Sequence, residues 1–231
     1  MEITAQEKII TAPARKRRRW PFVLLGLVLA VGGWLAWDLY GPRTAHLREF
    51  DAQEIGRLET AMWRSYYDKE RLALFRQLSQ ILRQQFNLPL ARSNAVAYQA
   101  ARAAFVFKAG KTRDDYEKAL PYLRNYYSAI REVSDVPFDV GQVAKLELEW
   151  WIIHRQRKQH APEDLPRALA ELAGALYGIP PERAAEHARL RAEAMTIRDD
   201  KAGQGGVSEA DWARIDELLR ASWQSLRQAV K

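Results

Sequence analysis

RKRRRWPFVLLGLVLAVGGWLAWDLY, residues 15–40, sets five basic residues directly against an apolar segment whose one charge is Asp38. At about 1.5 Å per helical residue, residues 20–40 span about 30 Å, the thickness of a bilayer's hydrocarbon core. Trp20 stands at one end, and Trp34, Trp37 and Tyr40 stand at the other, as in two interfacial aromatic belts. The segment predicts a single transmembrane anchor. Because Lys and Arg stay on the cytoplasmic side, Arg17, Arg18 and Arg19 fix a cytoplasmic N-terminus and export everything after Gly41. The expectation is a single-pass protein of a bacterial inner membrane. It divides into a basic tail (1–19), an anchor (20–40) and a periplasmic domain (41–231).

A signal peptide cut after Ala30-Val31-Gly32 competes with that reading. Against it, the apolar character continues through Trp34, Leu35, Ala36 and Trp37, past the cut. Both readings export the domain.

Composition limits what the exported part can be. Little Gly and Pro, with abundant Ala, Leu, Arg and Glu, favours helix. The formal charge of +7 suggests nucleic acid until it is divided, for residues 1–19 carry +4 and the other 212 residues only +3. A nucleic-acid face needs clustered cations, so no nucleic-acid partner is expected. The chain has no cysteine, which excludes disulfides, thiolate zinc sites, iron–sulfur clusters and cysteine nucleophiles.

Beyond Gly41-Pro42, apolar residues recur at helical spacing from Leu47 to Phe86, predicting one long amphipathic helix or two in series. Asn87-Leu88-Pro89 ends it, and an Ala-rich helix follows to about Lys108, with Gly110 after it. Thr112 and Asp115 form a capping-box variant opening a third helix, with Pro121 as a kink or a first turn. Asp139, Pro162 or Pro166, Pro180-Pro181 and Ser208 start four more, and residues 199–207, with three glycines, read as a mobile connector. Nothing alternates with period two. The fold class is therefore all-α, a transmembrane helix followed by a bundle of six or seven helices.

The chemistry worth weighing is acids and histidines on apolar helix faces. Glu59 shares a face with Met62, Trp63 and Tyr66, and Glu147 shares one with Trp150, Trp151 and His154. His187 lies on a stripe with Leu190, Ala194 and Ile197, and Arg102 interrupts the Ala-rich helix. One reading brings Glu59, Glu147, His154 and His187 together around a non-haem metal. The spacing opposes it: bundle di-metal sites use Glu-x-x-His, whereas His154 lies seven residues, about 10.5 Å, beyond Glu147. The favoured reading is a buried polar network, with Glu59 or Glu147 paired to Arg102 and the histidines hydrogen-bonded inside the bundle. On this reading there is no cofactor and no catalytic residue.

No nucleophile elbow, His-Glu-x-x-His, phosphate loop or dinucleotide fingerprint is present. The sequence thus points to a noncatalytic accessory protein whose partners are the bilayer and a membrane or periplasmic protein. Such a role predicts an exposed apolar patch, on the faces holding Leu74 and Ile81 or Trp150. The alternatives are a carboxylate–histidine metal enzyme and a membrane-proximal binder of an apolar or lipid-like ligand.

Overall fold

The computed structural model describes residues 20–231 and is helical, without strands among them. The chain divides into two units that meet between Trp37 and Asp38. The first, from Trp20, is made of all but the last three residues of the apolar helix α1 (Trp20–Tyr40), with Trp20, Trp34 and Trp37 exposed along it. The helix is long and apolar enough to cross a membrane, with a mean hydropathy of 2.0 over its best window. Arg17, Arg18 and Arg19 lie outside the described residues.

The second unit, Asp38–Lys231, contains nine further α-helices. They are α2 (Ala52–Tyr67), α3 (Arg71–Phe86), α4 (Leu90–Ala109), α5 (Arg113–Glu117), α6 (Leu120–Arg131), α7 (Val140–Arg155), α8 (Asp164–Tyr177), α9 (Ala185–Gly203) and α10 (Glu209–Ala229). The stretch up to Phe86 forms the two helices of the second alternative, joined at Lys69, which takes a left-handed φ of 62° and turns α2 back into α3. One expected helix is divided. The third breaks at Lys118 and Ala119, and Pro121 then sits in the first turn of α6, where its missing N–H costs nothing.

Local chemistry accounts for most helix starts. Asp51 accepts from the Gln53 and Glu54 amides, and Asp139 accepts from Gln142. Thr112 with Asp115 and Ser208 with Asp211 form complete capping boxes. One helix runs past its expected end. Residues 199–203 belong to α9, because Asp199 is held from two helices, and the chain turns only at Gly205 and Gly206, where φ is 112° and 132°.

Apart from the short α5, each helix packs on its predecessor, and α10 returns against α2, so the eight long helices form a closed ring around one main core. Residues 38–48 cross one end of this ring as a strap. Asp38 accepts from the Ala91 amide (2.5 Å) at the uncapped start of α4, and buried Arg92 donates to the carbonyls of Leu39 (2.7 Å) and Gly41 (3.1 Å). Further along, Ala45 pairs with the turn after α6, and Arg48 donates to the carbonyls of Tyr177 and Gly178 at the end of α8.

Ring closure depends on one close approach. A Cβ on Gly56 of α2 would lie 2.7 Å from Cα and 2.8 Å from N of Arg220 in α10. Both are backbone atoms that cannot rotate aside. Gly56→Ala is expected to lower stability by about 1–3 kcal/mol despite alanine's better helix propensity, read as a lower denaturation midpoint. A raised midpoint would show that the two helices can separate freely.

Candidate functional site

The ring brings one charged group to its centre. Glu59, on the inward face of α2, is buried, and its Oε1 accepts from Arg191 of α9 at 2.9 Å (Nε) and 2.7 Å (Nη2). Its Oε2 accepts from the Trp223 indole N–H of α10 at 2.6 Å. Three helices thus close on one carboxylate.

Arg191 lies at the hub. Burial opposes its charge, but Glu59, with Glu147 behind it, outweighs that cost and raises its pKa. The guanidinium sits 5.2 Å from the Trp150 ring centroid. Glu147 of α7 faces the same centre, accepting from Tyr127 Oη of α6 (2.8 Å) and from the Trp151 indole (2.9 Å). Burial, with Glu147 close by, drives the Tyr127 hydroxyl well above its ordinary pKa, so it stays a protonated donor. Beyond it, Gln85 donates to the buried Tyr177 hydroxyl (2.8 Å). Both carboxylates at the centre have both oxygens hydrogen-bonded, whereas the buried Trp150 indole N–H has no partner.

His187, one turn before Arg191, is also buried, and Ser222 of α10 holds it. One proton arrangement satisfies all three contacts. Nδ1–H donates to the Ser222 oxygens (Oγ 2.7 Å, carbonyl 3.1 Å), and the Ser222 hydroxyl donates to the His187 carbonyl (2.8 Å). Burial, with the Arg191 charge added, pushes the imidazole pKa down from 6.5 to about 4. The ring is therefore neutral in the folded domain at neutral pH, whereas the unfolded chain takes up a proton near pH 6.5. Stability from this group is present above pH 6.5 and is lost as the pH falls towards 4, by up to about 1.4 kcal/mol per unit. His187→Gln should flatten the pH dependence of the urea midpoint in that window. Equal slopes in the two proteins would clear the ring of responsibility.

Two expected pairings are corrected. Arg102 is exposed and does not meet Glu59 or Glu147; it donates to Tyr98 Oη (3.1 Å) and Tyr122 Oη (2.8 Å). Arg191 takes its place. His154, expected in the same polar interior, lies instead at a cleft of about 190 Å³ with Arg157, His160, Thr196 and Asp199. Its Nε2 is 3.1 Å from Asp199 Oδ2, but the ring is not aligned to hydrogen-bond with it. Burial opposes the charge on Asp199, and His154 and Arg198, with Arg157, outweigh it and lower its pKa.

The four metal candidates do not form a ligand cluster. Among the described residues, no group of three or more His, Asp or Glu is placed to hold an ion. The physical reason is occupancy: both Glu59 oxygens and both Glu147 oxygens already accept hydrogen bonds, His187 Nδ1 is held by Ser222, and His154 faces Asp199. The expected apolar patch also moves: Ile81 is buried, Leu74 and Trp150 are half-buried, and the large exposed apolar side chains of this unit include Leu72, Leu90, Tyr98 and Phe105.

Sequence reasoning missed Arg191, Asp38, Arg92 and Asp199. The signal for Arg191 was its step of four from His187, which puts both on one helix face. Comparison of the chain with protein-family models, curated proteins and solved structures finds no match.

Proposed function

We propose that the chain is a noncatalytic accessory protein, anchored in a bacterial inner membrane by α1, whose helical domain stands in the periplasm and stabilises or recruits another membrane or periplasmic protein. The observation that carries this reading is the division of labour among its polar groups. Glu59, Glu147 and His187 are committed to Arg191, Trp223, Tyr127, Trp151 and Ser222 inside the ring, while α1 and parts of α3 and α4 leave large apolar side chains uncovered. The cleft beside His154 adds little to a ligand-binding reading: at about 190 Å³ it is smaller than the ~300 Å³ at which small-molecule sites begin, and charged groups line it. The near-balanced charge beyond residue 19 supports a protein partner over nucleic acid.

The test combines topology with association. A reporter active only outside the cytoplasm, fused after Lys231, should be active, and the intact chain should resist alkaline extraction from membranes. A chain beginning at residue 33 would establish the cleaved signal instead. Co-purification with one membrane or periplasmic protein in fixed ratio supports the accessory role. A solitary chain with a turnover-dependent activity would sink it.

A further inference from the structure

α4 is rich in alanine and carries large apolar side chains on its outer as well as its inner face, yet only the inner face is covered. Its inner face packs Val96, Ala97 and Ala103 into the core; its outer face presents Leu90, Tyr98, Ala101 and Phe105 to solvent. Leu72 on α3 is 88% exposed and Phe105 is 75% exposed, large values for side chains of this size. The two helices are antiparallel neighbours registered by the Ser79–Ser93 hydroxyl contact (3.0 Å). Leu72, two turns before Ser79, therefore comes level with Ala100, two turns after Ser93, and all these side chains belong to one hairpin surface.

The charge on that hairpin is one-sided. Residues 71–109 contain Arg71, Arg76, Arg83, Arg92, Arg102 and Lys108 and no acid at all. None of the six is in an ion pair among the described residues. Arg92 is buried on backbone carbonyls, and the rest reach the surface. Arg102 is pre-set: it stacks at 4.9 Å on Tyr122 and 5.8 Å on Tyr98 and donates to both hydroxyls, which holds the guanidinium in place with its remaining N–H groups free. A fixed guanidinium recognises a carboxylate at low entropic cost. Tyr, Phe and Arg together are also the composition of protein interface cores.

We propose that the exposed face of α4, with Leu72, is the docking site for an acidic amphipathic helix of a partner protein. Apolar residues of that helix would lie over Tyr98, Ala101 and Phe105, and its flanking carboxylates would meet Arg102, Lys108 and the α3 arginines. Alanines between the aromatic side chains let a second helix approach closely. A second copy of this chain does not fit, since a two-fold pairing of this face would set cations against cations. The inference rests on the accessory reading and supplies the chemistry of its partner.

The test uses the full chain in the membranes of its own cells, with a photoreactive phenylalanine analogue in place of Phe105 or of Leu72, and in place of exposed Ala213 on α10 as a control. Irradiation should give one protein adduct from the first two positions and not from the third, with the attached peptide carrying Asp or Glu beside apolar residues at helical spacing. Arg102→Glu should lower the yield about tenfold, and reversing the facing carboxylate should restore it. Adducts only to phospholipid, only to a second copy, or none would overturn the docking site, as would a yield indifferent to Arg102→Glu. The same membranes separate the two readings: a chain that resists alkaline extraction but gives no Phe105 adduct refutes the docking face alone, whereas an extractable chain refutes the anchor.

Discussion

Arg191→Ala is expected to lower the unfolding free energy of the helical domain by about 3–5 kcal/mol, the usual cost of removing one partner from a buried ion pair. The side chains of Glu59 and Arg191 are 3% and 17% exposed, so the abandoned carboxylate has little water to turn to. For a domain of this size the loss corresponds to a fall of about 6–20 °C in the melting temperature. Glu59→Leu with Arg191→Met should recover much of it, because apolar replacements of similar volume remove the desolvation cost along with the attraction. The recovery will be incomplete, since the Trp223 indole loses its acceptor. Circular dichroism during urea unfolding of the unaltered protein, Glu59→Leu, Arg191→Met and the double variant gives the coupling energy directly. Two residues away on the same helix, Arg189 pairs with Glu186 in solvent, and Arg189→Ala should leave the midpoint almost unmoved. If the two alanine variants behave alike, the Glu59–Arg191 pair is open to water and the centre of the ring is not as described.

That contrast also explains what could be read from the sequence. The long apolar helix α1 was legible because length and unbroken hydrophobicity suffice for it. Helix starts at Thr112, Asp139 and Ser208 were legible because a cap is a local event, settled within four residues. Glu59 could be placed inward from its neighbours on α2 alone. Its partner could not. Arg191 sits in His-Ala-Arg-Leu-Arg-Ala-Glu, which reads as a solvated stretch, and its burial follows only when α10 closes the ring and traps α9 against α8 and the short 3-10 turn Pro181–Ala184. Arg102 was the candidate because it interrupts an Ala-rich helix between Tyr98 and Phe105, but its stripe with those two residues faces outward. The extension of α9 through residues 199–203 was hidden for a similar reason: the three glycines signal a turn, while the Asp199 contacts that hold the last helical turn come from residues some forty positions earlier.

Trp223→Ala is expected to cost about 3–5 kcal/mol, and the partition of that loss matters more than its size. The indole does two jobs. Its ring packs edge-on against Phe50 (centroids 5.7 Å apart, 84° between planes) and 5.3 Å from His187, joining α10 to the chain just before α2 and to α9. Its N–H donates to Glu59 and completes the carboxylate's partners. Trp223→Phe separates the two, since it keeps most of the apolar volume and removes the donor. The phenylalanine variant should lose about 1–3 kcal/mol, the cost of leaving a buried acceptor unsatisfied, and the remainder up to the alanine value measures packing. Adding Arg191→Met to Trp223→Phe should then cost more than either change alone predicts, because Glu59 loses its second donor only in the combination. Strict additivity in urea midpoints would mean that the two donors serve Glu59 independently, and the shared-acceptor account of the carboxylate would fall.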